Sequence, residues 1–382
     1  MAGQRLPRLI LFGLLGRNLY LYPDNFFGMT KQMDKQTGEA LAWLRFVLNP
    51  DTAMPAVTDW EALLAFADKQ ALIGICMPYS CAERLERGLM FQWYGQCQVL
   101  EEYNRTANER IVQLFGIMEE AGFPCCLLKG QGNAAMYPAP LLRNPGDIDV
   151  WVDADEERVS RYIKQSFPDA KTKEKHFDFP VFEDIRVDLH TVPLKLYTPA
   201  FGKRLRRWIA QNKAEQFTHQ IRLAGTDRDV NVPTGRFNVL YQLGHMLIHF
   251  LDNGIGFRQV VDYFFVLKNL EITEQERSEM ARTLRSLGML RFARAMMWVE
   301  HHVLGLDAAR CIVDPDESFG KKLLADILNG GNFGHYSRPF QSSLNSLQIF
   351  LAGAWRDLII LPMAPREGIA RIFWKLGKAL HK

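Results

Sequence analysis

Asp147 and Asp149, in the run GDIDVWV, are the residues with the clearest chemistry. IDVWV reads as a β-strand. Strand side chains alternate between faces, so the two carboxylates point the same way while Ile148 and Val150 point into a core. Two carboxylates held side by side repel each other unless a cation neutralises them. Oxygen ligands of this kind suit Mg²⁺ or Mn²⁺, and Mg²⁺ typically takes one or two carboxylates plus the phosphate oxygens of a substrate. Asp188, in IRVDLH, lies on a strand that can stand beside the first and add a third carboxylate to the same edge. Two metal ions about 3.5–4 Å apart could then clamp the attacking and leaving oxygens of a phosphate displacement. An Asp-x-Asp pair alone is more often two surface aspartates. Here Gly146 precedes the pair and the apolar VWV follows it, a frame unusual for a solvated edge.

Upstream, Lys129-Gly130-Gln131-Gly132 follows the apolar strand CCLL and precedes a short helix. Small residues let backbone N–H groups approach phosphate oxygens, and a helix start favours an anion. The GxxxxGK[ST] order of a P-loop is absent. Lys129 and Arg143 put two cations ahead of the carboxylates, a combination suited to a triphosphate. Taken singly, each is equally well a turn or a surface charge.

Strand, Lys-Gly turn, helix, Arg-x-x-Gly-Asp-Ile-Asp and a later strand aspartate together resemble the DNA polymerase β-type nucleotidyltransferase superfamily. Within it, the chain looks like a bacterial family of uncharacterised nucleotidyltransferases in which Lys-Gly replaces the usual Gly-Ser. LLKGQGNAAMYP, RNPGDIDVWV and VDLH carry the resemblance, which covers Pro124 to Pro193 and extends through the helical part toward Gly334. It implies an α+β fold built on a small mixed sheet. It also implies that Asp147 and Asp149 are metal ligands, that Asp188 is a ligand and the base for an acceptor hydroxyl, and that Lys129 and Gly130 face the triphosphate. The missing Ser removes one phosphate contact, for which Gln131 or backbone groups can substitute. The implied activity is metal-dependent transfer of an NMP group from an NTP, ATP among them, to a hydroxyl, with release of pyrophosphate. Small molecules, sugars, proteins and RNA ends are all open as acceptors. Two alternatives stand beside it: a nucleotide-binding or regulatory module without turnover, and a toxin-like transferase acting on tRNA or protein.

Helices must position these residues. Leu100, Tyr103, Ala107, Ile111, Leu114, Phe115 and Met118 form one apolar stripe, ended by Gly122. Asp153 or Asp155 can cap a helix facing inward through Val159, Tyr162, Ile163 and Phe167. Strands are expected near Phe177–Phe182 and Ile185–His190, and a hairpin with arms FTHQIRLAG and VNV. Farther on, Asn238, Gln242, His245, His249 and Asp252 share one helix face, with apolar residues on the other. Such a stripe suits a cleft wall. His245 and His249 have the spacing of zinc ligands, but the Glu of HExxH and a third ligand are missing. Arg258 can pair with Asp262 four residues on, or reach a nucleotide together with His245 and His249. The resemblance favours the latter, since the family tends to carry a His-rich helix followed by an Arg–Asp helix. His176 and His190 flank the third aspartate and can orient it. The loop from Gly330 to Gly334 can border the cleft, and the basic C-terminal helix can dock or rest on a membrane surface.

A chain of 382 residues, 48% hydrophobic and 23% charged, is globular and long enough for two or three domains. The expected organisation is an uncertain leader or mis-chosen start over 1–28, helices over 29–121, the α/β core over 122–232 and a helical part over 233–382. A net charge of +3, without a basic strip interleaved with aromatics, disfavours long nucleic acid. No run has the roughly 20 apolar residues of a membrane span. Six scattered cysteines fit reduced core thiols and a cytoplasmic setting.

Overall fold

The computed structural model describes residues 34–169, 177–337 and 360–380. It opens on helices α1 (Lys35–Leu48), α2 (Trp60–Lys69), α3 (Ile73–Cys76) and the long α4 (Arg87–Glu120). Asp34 and Asp59 start α1 and α2 by accepting hydrogen bonds from backbone N–H groups of their first turns. Gly122 closes α4 at φ 73°, and Phe123 N–H donates back to the Met118 carbonyl at 2.8 Å. The α/β part follows as β1 (Cys125–Leu128), α5 (Gly130–Ala134), β2 (Ile148–Val152), α6 (Glu156–Ser166), β3 (Phe177–Asp178) and β4 (Val187–His190). Next come α7 (Pro199–Gln216) and the antiparallel hairpin β5 (Gln220–Arg222) and β6 (Asp229–Asn231). The helical part comprises α8 (Gly235–Asp252), α9 (Phe257–Lys268), α10 (Glu274–Ser286), α11 (Leu290–Trp298), α12 (Glu317–Gly330) and α13 (Pro365–Leu380).

The fold is α+β, as expected. The main sheet has order β1-β2-β4-β3, with β2 and β4 parallel and the outer pairs antiparallel. Its two faces belong to two cores, which follows from strand alternation. Cys125, Leu127, Ile148, Val150, Val187 and Leu189 pack under α4 and α6. Cys126, Leu128 and Trp151 join the larger core shared by the N-terminal helices and the helical part. Trp151 lies 5.0 Å from Phe217 and 5.6 Å from Phe237, ring to ring. Asp149 shares the parity of Trp151, so it faces the helices and not α4. Asp155 caps α6, whose Val159 and Ile163 are buried.

β3 is shorter than the expected strand near Phe177–Phe182. Pro180 has no N–H for the ladder, and Val181 N–H turns back to the Phe179 carbonyl at 2.8 Å. All six cysteines are free and buried. Among the described residues no helix is long and apolar enough to cross a membrane. Residues 1–28 and His176 lie outside the described residues.

Candidate active site

The parallel pairing of β2 with β4 sets Asp149 directly opposite Asp188, while on the other side β1 sets Leu128 opposite Asp149. Asp147 stands one residue before β2 and is exposed. Register alone therefore brings the three aspartates to one end of neighbouring strands. The chain leaves β1 at Lys129 with φ 53° and enters α5 through Gly130 at φ 44°. A non-glycine residue at positive φ is strained, and such strain persists only where the surroundings hold it. Here the turn sends the Lys129 ammonium between Asp149 Oδ2 at 2.9 Å and His245 Nε2 at 3.1 Å. Burial, and then the Lys129 charge, push His245 well below the usual histidine range, so its neutral ring accepts from the ammonium. His190 Nε2 holds the other oxygen of Asp149 at 2.7 Å.

Burial opposes ionisation of Asp149. Lys129 and His190 outweigh it and hold the carboxyl below the usual carboxylate range. Asp188 goes the other way. Burial first, with the charges of Asp149 and Asp147 adding to it, pushes it up to about 6 against the opposing pull of Arg186. Arg186 grips Asp188 at 2.7 Å (Nη2–Oδ2) and 3.1 Å (Nε–Oδ1).

Among the described residues no three His, Cys, Asp or Glu side chains close into a cage around a metal. The chemistry of the donors suits a hard divalent cation, since the carboxylates of Asp147, Asp149 and Asp188 offer oxygen only. Lys129 and Arg186 supply the neutralising charge in this arrangement.

Asp147 and Asp149 open into a narrow cleft of about 60 Å³ free volume, bordered also by Lys129, Gly130, His245, Arg258 and Phe333. Three residues proposed from sequence for this cleft are engaged otherwise. Arg143 is buried, with both carboxylate oxygens of Asp262 at 2.7 Å from Nε and Nη2. Tyr137 O–H donates to the same carboxylate at 2.6 Å. Arg143 thus takes the partner expected for Arg258. Gln131 turns into α4, its Nε2 donating to Asn108 Oδ1 at 2.8 Å. A buried amide satisfied there is not aimed at a phosphate. His249 packs between two cleft residues, its ring centroid 4.4 Å from His245 and 5.1 Å from Phe333.

Arg258 lies in the cleft wall. Its Nη1 donates to the Pro145 carbonyl at 2.7 Å, and no carboxylate pairs with it among the described residues. Burial, followed by the Arg143 charge, lowers it to about 10. The polar stripe of α8 divides its work. Asn238 and Gln242 form an amide cluster with Asn133 of α5, with Gln242 Nε2 to Asn133 Oδ1 at 2.8 Å. His245 serves the cleft, and Asp252 binds Tyr197 at 2.8 Å and Arg371 of α13 at 3.0 Å. Sequence reasoning missed Arg186 and Phe333. Arg186 carried a signal, since it shares strand parity with Asp188.

An α+β fold whose small mixed sheet ends in a carboxylate pair beside a Lys-Gly turn defines the class of protein. A family model described as uncharacterised nucleotidyltransferase matches residues 56–305, and the chain belongs to that nucleotidyltransferase family. Neither a curated protein nor a solved structure matches.

Proposed function

We propose that the chain transfers the nucleoside monophosphate group of an NTP, ATP among the candidates, to a hydroxyl of an acceptor. The acceptor oxygen bonds to the α-phosphorus, the bond from that phosphorus to the α–β bridging oxygen breaks, and pyrophosphate leaves. Asp188 takes the acceptor proton. One observation above all supports this: Asp149 and Asp188 face each other in register on parallel strands, with Asp147 at the head of β2. Asp147, Asp149 and Asp188 would hold Mg²⁺ or Mn²⁺, which supplies positive charge against the phosphate oxygens. Lys129 and Gly130 face the triphosphate, and Arg258 contacts the nucleotide beside Phe333. His245 orients the Lys129 ammonium, and His249 backs His245. Arg143 acts at one remove, holding the segment before Asp147 through Asp262 and its own Asn144 contact.

The cations seated on Asp149 and Asp188 favour one competitor, a nucleotide-binding module without turnover. One assay separates the two: each labelled NTP with Mg²⁺ or Mn²⁺ and cell extract, for wild type and an Asp147→Ala/Asp149→Ala variant. Label transfer is expected from wild type and should fall at least 10²–10³-fold, roughly the loss seen when one preorganised electrostatic group is removed from a site. NTP binding with neither transfer nor pyrophosphate release across a broad acceptor screen would establish the binding module instead.

A further inference from the structure

We infer that Phe333 and Arg258 form the nucleobase end of the cleft, Phe333 stacking on the base while Arg258 donates to an acceptor atom of the nucleotide. This rests on the nucleotide reading and extends it to the position of the base. The cleft is bordered by the Lys129–Asp149 pair, Asp147, Gly146, Arg258 and Phe333; a Cβ on Gly146 would lie 3.7 Å from Arg258 Nη1, and Arg258 in turn meets the Phe333 ring. Lys129 and the aspartates occupy the first end, which is where phosphates belong. The other end is aromatic.

Phe333 sits in the left-handed region at φ 51° and ψ 28°, between Gly331 and Gly334, which also have positive φ. A bulky side chain holds that conformation only when its surroundings impose it. They do so here. Asn332 packs against Gly256 so closely that a Cβ there would lie 2.7 Å from the Asn332 Cα. The anchored loop presents the ring to the cleft. The Arg258 guanidinium lies 5.1 Å from the ring centroid, a cation–π contact that steadies the platform.

Arg258 supplies an independent observation. Its Nε is buried and, among the described residues, has no hydrogen-bond partner. A buried N–H without an acceptor is unfavourable, and a ligand oxygen or ring nitrogen would remove that deficit. Every base has a π face, so stacking tolerates base identity. The site should therefore favour nucleotides over bare polyphosphate more strongly than one base over another.

Calorimetric titration with ATP and with inorganic tripolyphosphate, both with Mg²⁺, tests this on wild type, Phe333→Ala, Phe333→Leu and Phe333→Tyr. Removing the ring should weaken ATP binding by about 10- to 100-fold in the Ala and Leu variants, the range of base–aromatic stacking, and leave tripolyphosphate within about twofold. The Tyr variant should bind as wild type. The Leu variant fills the same space without a π face, and equal melting temperatures show that the fold is kept. ATP affinity retained by Phe333→Ala or Phe333→Leu, or equal loss for both ligands, overturns the inference alone. A wild type that binds no NTP overturns the nucleotide reading and this inference with it.

Discussion

Asp149 and Glu300 are both buried carboxyls, 7% and 0% exposed, and their surroundings push their pKa values in opposite directions. Asp149 has a cation or hydrogen-bond donor on each oxygen, Lys129 at 2.9 Å and His190 at 2.7 Å, and stays ionised. Glu300 lies in the π-helical turn Val299–Val303 after α11, and among the described residues neither of its oxygens has a hydrogen-bond partner. Burial alone drives it well above the usual carboxyl range, so it is held neutral. The Tyr263 hydroxyl, also fully buried, has no hydrogen-bond partner among the described residues either, and burial pushes it well above the usual tyrosine range. Desolvation penalises ionisation in both places. What differs is whether the fold brings counter-charge close enough to reverse it. Asp262 is also buried, and Arg143 grips it on both oxygens.

The largest effect in this comparison should come from unpairing a buried charge. Asp262→Ala leaves the Arg143 guanidinium buried, next to Arg258, and should cost roughly 3–5 kcal/mol of stability in urea unfolding. A loss under about 1 kcal/mol would show that this pair behaves like a surface ion pair.

Glu300→Gln should act in the opposite direction. The folded-state pKa of Glu300 is raised, so above about pH 4.5 the unfolded chain releases a proton that the folded chain keeps. Its stabilising contribution is complete at low pH. It falls by about 1.4 kcal/mol per pH unit as pH rises from there toward the folded pKa. Glutamine has the same shape and no such proton, so the variant should gain more than about 1 kcal/mol at pH 7.5 and lose that part of the slope. Melting curves from pH 4 to 8 check it, and an unchanged slope would mean that Glu300 ionises in the fold.

Tyr263→Phe should have the smallest effect. Removing a buried hydroxyl that bonds to nothing should be neutral or stabilising by up to about 1 kcal/mol. A clear destabilisation in the same melts would reveal a partner for that hydroxyl.

Much of the frame was legible because it is local. CCLL and IDVWV are strands with the expected bounds, Gly122 ends α4, and Asp155 caps α6. Each depends on residues within one or two turns. The juxtaposition of Asp149 and Asp188 was also expected, since both sit on short apolar strands and sheet order has few choices. The polar stripe of α8 was visible, but its division into three tasks was not. Asn133, Lys129 and Arg371 reach it from elements that are distant in the chain.

The order of residues by itself determined the strands CCLL and IDVWV, which helix faces are apolar, and that three aspartates and a Lys-Gly turn sit at strand ends. Those properties follow from backbone geometry and side-chain alternation over a few residues. Only the tertiary structure decided which charge meets which. Helical spacing offered Asp262 to Arg258, yet Arg143 takes it from 119 residues away, because a guanidinium fork brought face to face can hold both oxygens at once. That choice leaves Arg258 without a carboxylate and beside Phe333 in the cleft. In the same way, nothing in VEHHV marks Glu300 as a neutral acid; its state is set by the neighbours that packing supplied and by the cation that packing left out.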